Sequence, residues 1–181
     1  EGCRELIYEL DRCAPGPVHT LLAHLEQAGR LQAVITQNID MLHQKSGSRR
    51  VIEVHGSPLR HHCSGCAREA AFDEICALLQ HARVARCAQC GAAYKPDITF
   101  FGEALPEAAL SAAVEQARRA DLMLVLGTSL TVYPAAALPE QTLRGGGQLV
   151  IVNAQPTPLD NRARLCLPDL AAFAETVGAW L

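Results

Sequence analysis

Apolar residues along this chain follow two alternating rhythms. Val18, Leu21, Leu22 and Leu25 recur at i, i+3, i+4 and i+7, the stripe of a helix with Pro17 in its first turn and Gly29 at its end. The run Ala33-Val34-Ile35-Thr36 is short and continuous, as in a strand covered on both faces, and Val51-Ile52-Glu53-Val54 is a second β-prone run. Helical spacing returns at Ile75, Leu78, Leu79 and Ala82, with Asp73 as the expected cap. Asp97 to Phe101 reads as extended. Leu110, Ala113, Val114 and Ala117 predict a helix opened by Pro106 and followed by the buried run Leu122-Met123-Leu124-Val125-Leu126. A helix near 135–144 leads through Gly145-Gly146-Gly147 into Leu149-Val150-Ile151-Val152. Leu170, Phe173, Ala174 and Val177 predict a closing helix capped by Asp169. Aliphatic strands alternating with amphipathic helices predict an α/β fold: a parallel sheet with helices on both faces.

Residues 58–95 break this rhythm. They carry Cys63-x-x-Cys66 and Cys87-x-x-Cys90, two knuckles with the spacing of a four-thiolate zinc site. Four unrelated buried thiols, or a redox pair with two bystanders, is the alternative, and the repeated pairing weighs against it. A site filled by four protein sulfurs leaves no position for water, so the expected zinc is structural. The segment reads as a small zinc-binding module inserted into the α/β domain.

Composition narrows the class. The chain has 181 residues and a mass of 19.5 kDa, enough for one main core and an accessory module. Hydrophobic residues make up 49% and charged residues 19%, a globular balance. A formal charge of −3 argues against a nucleic-acid partner. No apolar stretch reaches the ~18 residues of a membrane span, and the opening EGCRELIYELDR is charged and helical in pattern, without a secretory layout. It lacks an initiating Met, as a processed chain or fragment would. Cys3, Cys13, Cys76 and Cys166 have no paired spacing, and free thiols beside a zinc site point to a reducing compartment, the cytoplasm.

Candidate chemistry collects at the expected strand ends, where open parallel sheets bind ligands. These ends carry Thr36-Gln37-Asn38-Ile39-Asp40, Gly127-Thr128-Ser129 and Asn153. Each alone could be an ordinary cap or tight turn. Together they favour a nucleotide site offering amides and hydroxyls to ribose and phosphate. His55 follows the second strand and precedes Gly56; a lone histidine is usually a packing or surface residue, but imidazole can accept a proton near neutral pH. Phe100-Phe101-Gly102-Glu103-Ala104-Leu105-Pro106 places two phenylalanines before a Gly-Glu loop, and one of them could line an apolar tunnel.

Read in order, TQNID, VIEVHG, the two C-x-x-C pairs, FFGEALP, GTSLTVYPAA, VIVN and TPLD resemble the sirtuins, from about residue 17 to the C-terminus. The variants look most like the bacterial and archaeal branch. The resemblance implies a Rossmann-like domain from residues 1–57 and 96–181 around a zinc module at 58–95. It implies an NAD-dependent protein lysine deacylase that moves the acyl group to ADP-ribose and releases nicotinamide. His55 would be the general base. Asn38, Ile39 and Asp40 would lie by the nicotinamide and its ribose, with Gln37 on ribose hydroxyls. Gly127, Thr128 and Ser129 would contact the adenosine side, and Asn153, Ala154 and Gln155 its ribose. Thr99 and Phe101 would line the acyl-lysine tunnel. Gly102, Glu103 and Val132 would pair with an extended acylated-lysine peptide. Cys63, Cys66, Cys87 and Cys90 would hold the zinc.

The sirtuin pattern also includes a buried strand running into a Gly-Ala-Gly-Ile-Ser loop, and a cofactor loop ending in Asp-Phe-Arg; neither occurs in this sequence. Since that loop offers backbone amides to the pyrophosphate, these 181 residues alone are expected to bind NAD poorly. Micromolar binding in a calorimetric titration would contradict that. The competing class is a catalytically silent, zinc-stapled peptide-binding module. A hydride-transferring dehydrogenase fits less well, because no G-x-G-x-x-G follows a strand and the glycine triplet precedes one. A zinc hydrolase fits least, because four thiolates leave no site for water.

Overall fold

The computed structural model describes residues 13–181; the charged opening segment read as helical, and Cys3 within it, lie outside the described residues. Helix α1, Pro17–Gln27, starts where Pro17 supplies a fixed φ and the Gly16 amide donates to His19 Nδ1 at 3.1 Å. It stops before Gly29, whose φ of 70° suits a residue without Cβ. The described chain then falls into two compact units. One comprises Cys13, Asn38–Met41 and His55–Pro106; the other comprises Ala14–Gln37, Leu42–Val54 and Glu107–Leu181.

In the larger unit, β1 (Val34–Thr36) pairs in parallel with β2 (Val51–Glu53), and a short helix α2 (Leu42–Lys45) lies between them in sequence. Helix α4 (Glu107–Arg119) leads into β6 (Leu122–Leu126). After α5 (Leu138–Arg144) come β7 (Gln148–Val152), β8 (Leu165–Leu167) and the closing helix α6 (Leu170–Gly178). Strands β6, β7 and β8 pair in parallel in that order. Among the described residues no strand pairing joins β1 to β6, so the expected parallel sheet is present as two parallel pieces.

The central strand explains its own composition. Leu149 and Ile151 pack with Val125, Leu130, Ala136 and Leu159, while Val150 and Val152 pack with Leu21, Phe173 and Ala174 of α1 and α6. Both faces of β7 are therefore covered, which requires a continuous apolar run rather than alternation. Leu149 is fully buried, and Leu149→Ala is expected to lower stability by about 2–5 kcal/mol, read from the shift of the denaturant midpoint.

Thr142, also fully buried, donates its hydroxyl to the Ala117 carbonyl at 2.7 Å and ties α5 to the end of α4. The glycines that follow lie on the same helix end. A Cβ on Gly145 would meet the Arg118 carbonyl oxygen at 2.2 Å, and one on Gly147 the Ala120 carbonyl oxygen at 2.1 Å.

The smaller unit holds an antiparallel sheet, β4 (Glu69–Ala71), β3 (Gly56–Cys63) and β5 (Tyr94–Ile98), with helix α3 (Phe72–His81). Its described core is small: Ala70, Ile75 and Ala85, flanked by Leu79 and Tyr94. So little apolar volume is a weak anchor for three strands and a helix, and such modules depend on a staple.

Three local expectations shift. Ala71, not Asp73, is the N-cap of α3 and makes no side-chain cap bond; Asp73 and Glu74 sit in the first turn, where the helix dipole favours acids. The extended segment begins at Tyr94 and ends at Ile98, so Phe100 and Phe101 are in a turn. The helix near 135–144 divides into a 3-10 turn, Ala135–Ala137, and α5, with Pro139 in the first turn of α5. Asp169 does cap α6: its Oδ1 accepts the Ala171 and Ala172 amides at 2.8 and 3.0 Å.

Candidate functional site

The two cysteine knuckles converge. The sulfurs of Cys63, Cys66, Cys87 and Cys90 all lie within 4.8 Å of one another, with Cys63 and Cys90 at 3.3 Å and Cys66 and Cys87 at 3.7 Å. Four ligands ~2.3 Å from a tetrahedral zinc stand about 3.8 Å apart, so these residues fit the ion. Cys63 and Cys87 are buried and Cys66 and Cys90 are exposed. The Cys66 and Gly65 amides hold the Cys63 thiol below its ordinary range, Gly65 N donating at 3.4 Å. Burial opposes ionisation of Cys87, yet the amides of Cys90 and Gln89 bring it down to about 6. Cys90 accepts from Ala92, but its neighbours Cys63 and Cys66 push it up to about 12. Four thiols this close cannot all ionise unaided, and a divalent cation supplies the missing charge.

The remaining candidates of the smaller unit lie on three segments: 38–40, His55 and 99–103. Asn38 Nδ2 donates to Asp40 Oδ2 at 3.3 Å, with Ile39 between them half-buried. His55, partly buried, occupies the junction of β2 and β3, and its carbonyl accepts the Thr99 amide at 2.8 Å. Sequence positions 55 and 99 are thus joined through main chain. Gly56 makes this approach possible: its φ is 79°, and a Cβ there would stand 2.0 Å from the Asp97 carbonyl oxygen. Gly56→Ala is expected to destabilise the fold by about 2 kcal/mol or more, measured by chemical denaturation, because strain and overlap add.

The turn after β5 is held by a residue that sequence reasoning passed over. Lys95 forms an ion pair with Glu103 and stands 5.3 Å from the centre of the Phe100 ring. Glu103 also accepts the Phe100 amide at 3.0 Å through Oε2, and returns its own amide to the Phe100 carbonyl at 3.0 Å. The Lys95 ammonium, then the Phe100 amide, keep the Glu103 carboxyl below its usual range. This arrangement leaves Phe101 wholly exposed and Gly102 at a φ of 88°. A basic residue eight positions before a glutamate had no visible signal, because strand and turn lengths decide whether the two meet. The run Arg60-His61-His62 beside the first knuckle reads as a solvated loop in sequence but lies in β3, with His61 fully buried: His62 Nδ1 lies 2.5 Å from Asp97 Oδ1 and its Nε2 3.4 Å from Glu69, bridging the strands on either side of β3.

In the larger unit, Gly127-Thr128-Ser129 and Asn153 follow adjacent parallel strands, as expected. The Gly127 amide donates to the Val152 carbonyl at 2.9 Å, and the Asn153 amide to the Leu167 carbonyl at 2.9 Å. Two strand ends therefore open on one rim. Gly127 has a φ of 62°, and a Cβ there would crowd Leu170 Cδ1 at 3.2 Å. Thr128 Oγ1 accepts the Leu130 amide at 3.2 Å and Ser129 Oγ lies 2.9 Å from Thr131 Oγ1, so both hydroxyls are oriented. Asn153 Nδ2 donates to the Gln155 carbonyl at 2.8 Å, while Ala154 and Gln155 are exposed. Val132 is 48% exposed on the loop beyond the rim, and Gln37 follows β1 half-buried. A rim of fixed hydroxyls and amides with little side-chain cover fits the sugar half of a dinucleotide.

Parallel strands with polar rims in one unit, and a four-thiolate knuckle on an antiparallel sheet in the other, define a zinc-stapled α/β protein of the nucleotide-binding kind. The chain belongs to the Sir2 family, whose model matches residues 3–134. It is 45% identical over 175 residues to an NAD-dependent protein deacetylase of Thermotoga maritima, covering 96% of this chain and 71% of that protein. It is 46% identical over 147 residues to NAD-dependent protein deacylase 2 of Archaeoglobus fulgidus, covering 81% of this chain and 58% of that one. Among solved structures, it superposes on Sir2Tm bound to a propionylated peptide with a TM-score of 0.92 at 44% identity, covering 98% of this chain and 75% of the other. On a Sir2 complex with p53 peptide and NAD+ the TM-score is 0.90 at 44% identity, covering 95% and 72%.

Proposed function

We propose that this protein is an NAD-dependent protein lysine deacylase that transfers the acyl group to ADP-ribose and releases nicotinamide. The carrying observation is its family membership together with 45% identity, over nearly its whole length, to a relative named for that activity. NAD, when bound, supplies the electrophilic sugar carbon and the nicotinamide leaving group. His55 takes the proton from the nicotinamide ribose. Asn38 and Asp40, braced against each other, orient that ribose, with Ile39 beside it and Gln37 on its hydroxyls. Gly127, Thr128 and Ser129 hold the adenosine side, and Asn153, Ala154 and Gln155 its ribose. Thr99 and Phe101 line the path of the acyl-lysine. Gly102, Glu103 and Val132 pair with the peptide main chain, a mode consistent with the peptide complexes among its structural neighbours.

In this reading residues 1–57 and 96–181 form the NAD-binding domain and 58–95 the metal module. Acylated-lysine proteins are the partners, and the charge of −3 supports no direct role for nucleic acid. No helix among the described residues is long and apolar enough to cross a membrane. Exposed thiols at Cys13 and Cys166 support a reducing compartment, the cytoplasm.

Incubation with an acetyl-lysine peptide tests the proposal. Mass loss from the peptide, strictly dependent on NAD and matched by free nicotinamide, is the expected result. Peptide binding without turnover would instead select the catalytically silent module.

A further inference from the structure

Phe100 to Glu103 form a tight turn closed by the Glu103 amide on the Phe100 carbonyl at 3.0 Å. Gly102, at a φ of 88°, supplies the left-handed residue near its centre. Phe101 and Gly102, the two central residues, are exposed, and they are the ones assigned above to the acyl-lysine and the peptide main chain. The two oxygens of Glu103 have separate partners: Oε2 accepts the Phe100 amide at 3.0 Å, and Oε1 takes the Lys95 ammonium. Lys95 itself stands on β5, paired with His62 of β3, so its backbone belongs to the sheet and not to the turn. Its ammonium also lies 5.3 Å from the centre of the Phe100 ring, within cation–π range. One cation fixed on the sheet therefore holds both ends of the turn, by a carboxylate at one and a ring at the other. It opposes the tendency of Phe101, a large apolar side chain that is wholly exposed, to fold back and cover itself.

We propose that Lys95 is a positioning residue for peptide recognition: by fixing Glu103 and Phe100 it holds the turn in its peptide-receiving form, with Phe101 and Gly102 exposed. The proposal rests on the deacylase reading and adds to it a residue that acts through the turn rather than on the peptide. Its contribution is preorganisation, because a peptide that meets a formed turn loses no affinity to ordering it. The Lys95–Glu103 pair is about half exposed and therefore screened by salt, so the affinity it supports falls as ionic strength rises.

The test is a calorimetric titration with an acetyl-lysine peptide whose other residues are uncharged, without NAD, so that it reads the turn and not turnover. Lys95→Met keeps most of the side-chain stem and deletes the charge, whereas Lys95→Arg keeps a cation. Lys95→Met is expected to bind about fivefold more weakly, the upper range for an exposed pair, and Lys95→Arg within about twofold of wild type. That rescue separates charge from packing. Raising salt from about 0.05 to 0.5 M is expected to weaken binding by the wild type and to leave Lys95→Met unchanged. Equal affinities of wild type and Lys95→Met would overturn the proposal while leaving the deacylase reading in place. Should Lys95→Met not fold, the wild-type salt series decides, and an affinity constant across it would overturn the proposal. A wild type that binds no acetylated peptide would overturn the deacylase reading and the role of Lys95 together.

Discussion

His55→Ala is expected to lower kcat/KM for NAD-dependent deacylation by about 10²- to 10⁴-fold, the usual worth of a positioned general base. The structural argument for a clean result is that His55 has two separable roles. Its carbonyl binds the Thr99 amide, and alanine keeps that bond because it is made by main chain. Val54, immediately before it, is fully buried and continues to anchor the junction. Only the imidazole is removed. The variant is therefore expected to retain its metal while losing turnover. Steady-state kinetics beside metal analysis make the check, and a loss below about tenfold would mean that another group carries the proton.

The second large effect concerns stability. Cys63→Ala and Cys90→Ala are each expected to strip the metal and unfold the segment around 58–95. Apparent binding energies of structural zinc sites, about 10–16 kcal/mol, are folding energy for a module of this size. The buried cluster beside the knuckles consists of Ile75 and two alanines, Ala70 and Ala85, which cannot make up such a loss. The two variants sample different surroundings, since Cys63 is buried and Cys90 is exposed, so agreement between them would assign the effect to the ion. Metal analysis and far-ultraviolet circular dichroism provide the readout, with exposed Cys13 replaced by alanine as a control expected to stay within ±0.5 kcal/mol. One zinc per chain in either knuckle variant would refute four-sulfur coordination.

How much could be read in advance depended on the range of the interaction. Strands β6 and β7 and helix α6 were legible because their signals are local: continuous aliphatic runs and an acid one residue before a helix. The cysteine spacing was legible because a tetrahedral ion imposes it. Asp73 misled because a polar residue at a helix start looks the same whether it caps or merely occupies the first turn. Phe100 and Phe101 looked extended because aromatic pairs favour strands, yet Glu103 folds that segment back by taking the Phe100 amide. Pairings such as Lys95 with Glu103, or His62 with Asp97, depend on which strands become neighbours. They left no trace in any short window of sequence.

The triplet Gly145-Gly146-Gly147 carries a wider lesson about glycine-rich runs. The α-carbons of Gly145 and Gly147 face the carbonyl oxygens of Arg118 and Ala120 at the tail of α4, so the bare backbone at those two positions is a contact surface already in use. Side chains at those two positions would pry the loop away from the end of α4. Absent side chains thus mark a place where main chain leans on main chain, and searches that equate them with phosphate recognition would misassign this loop.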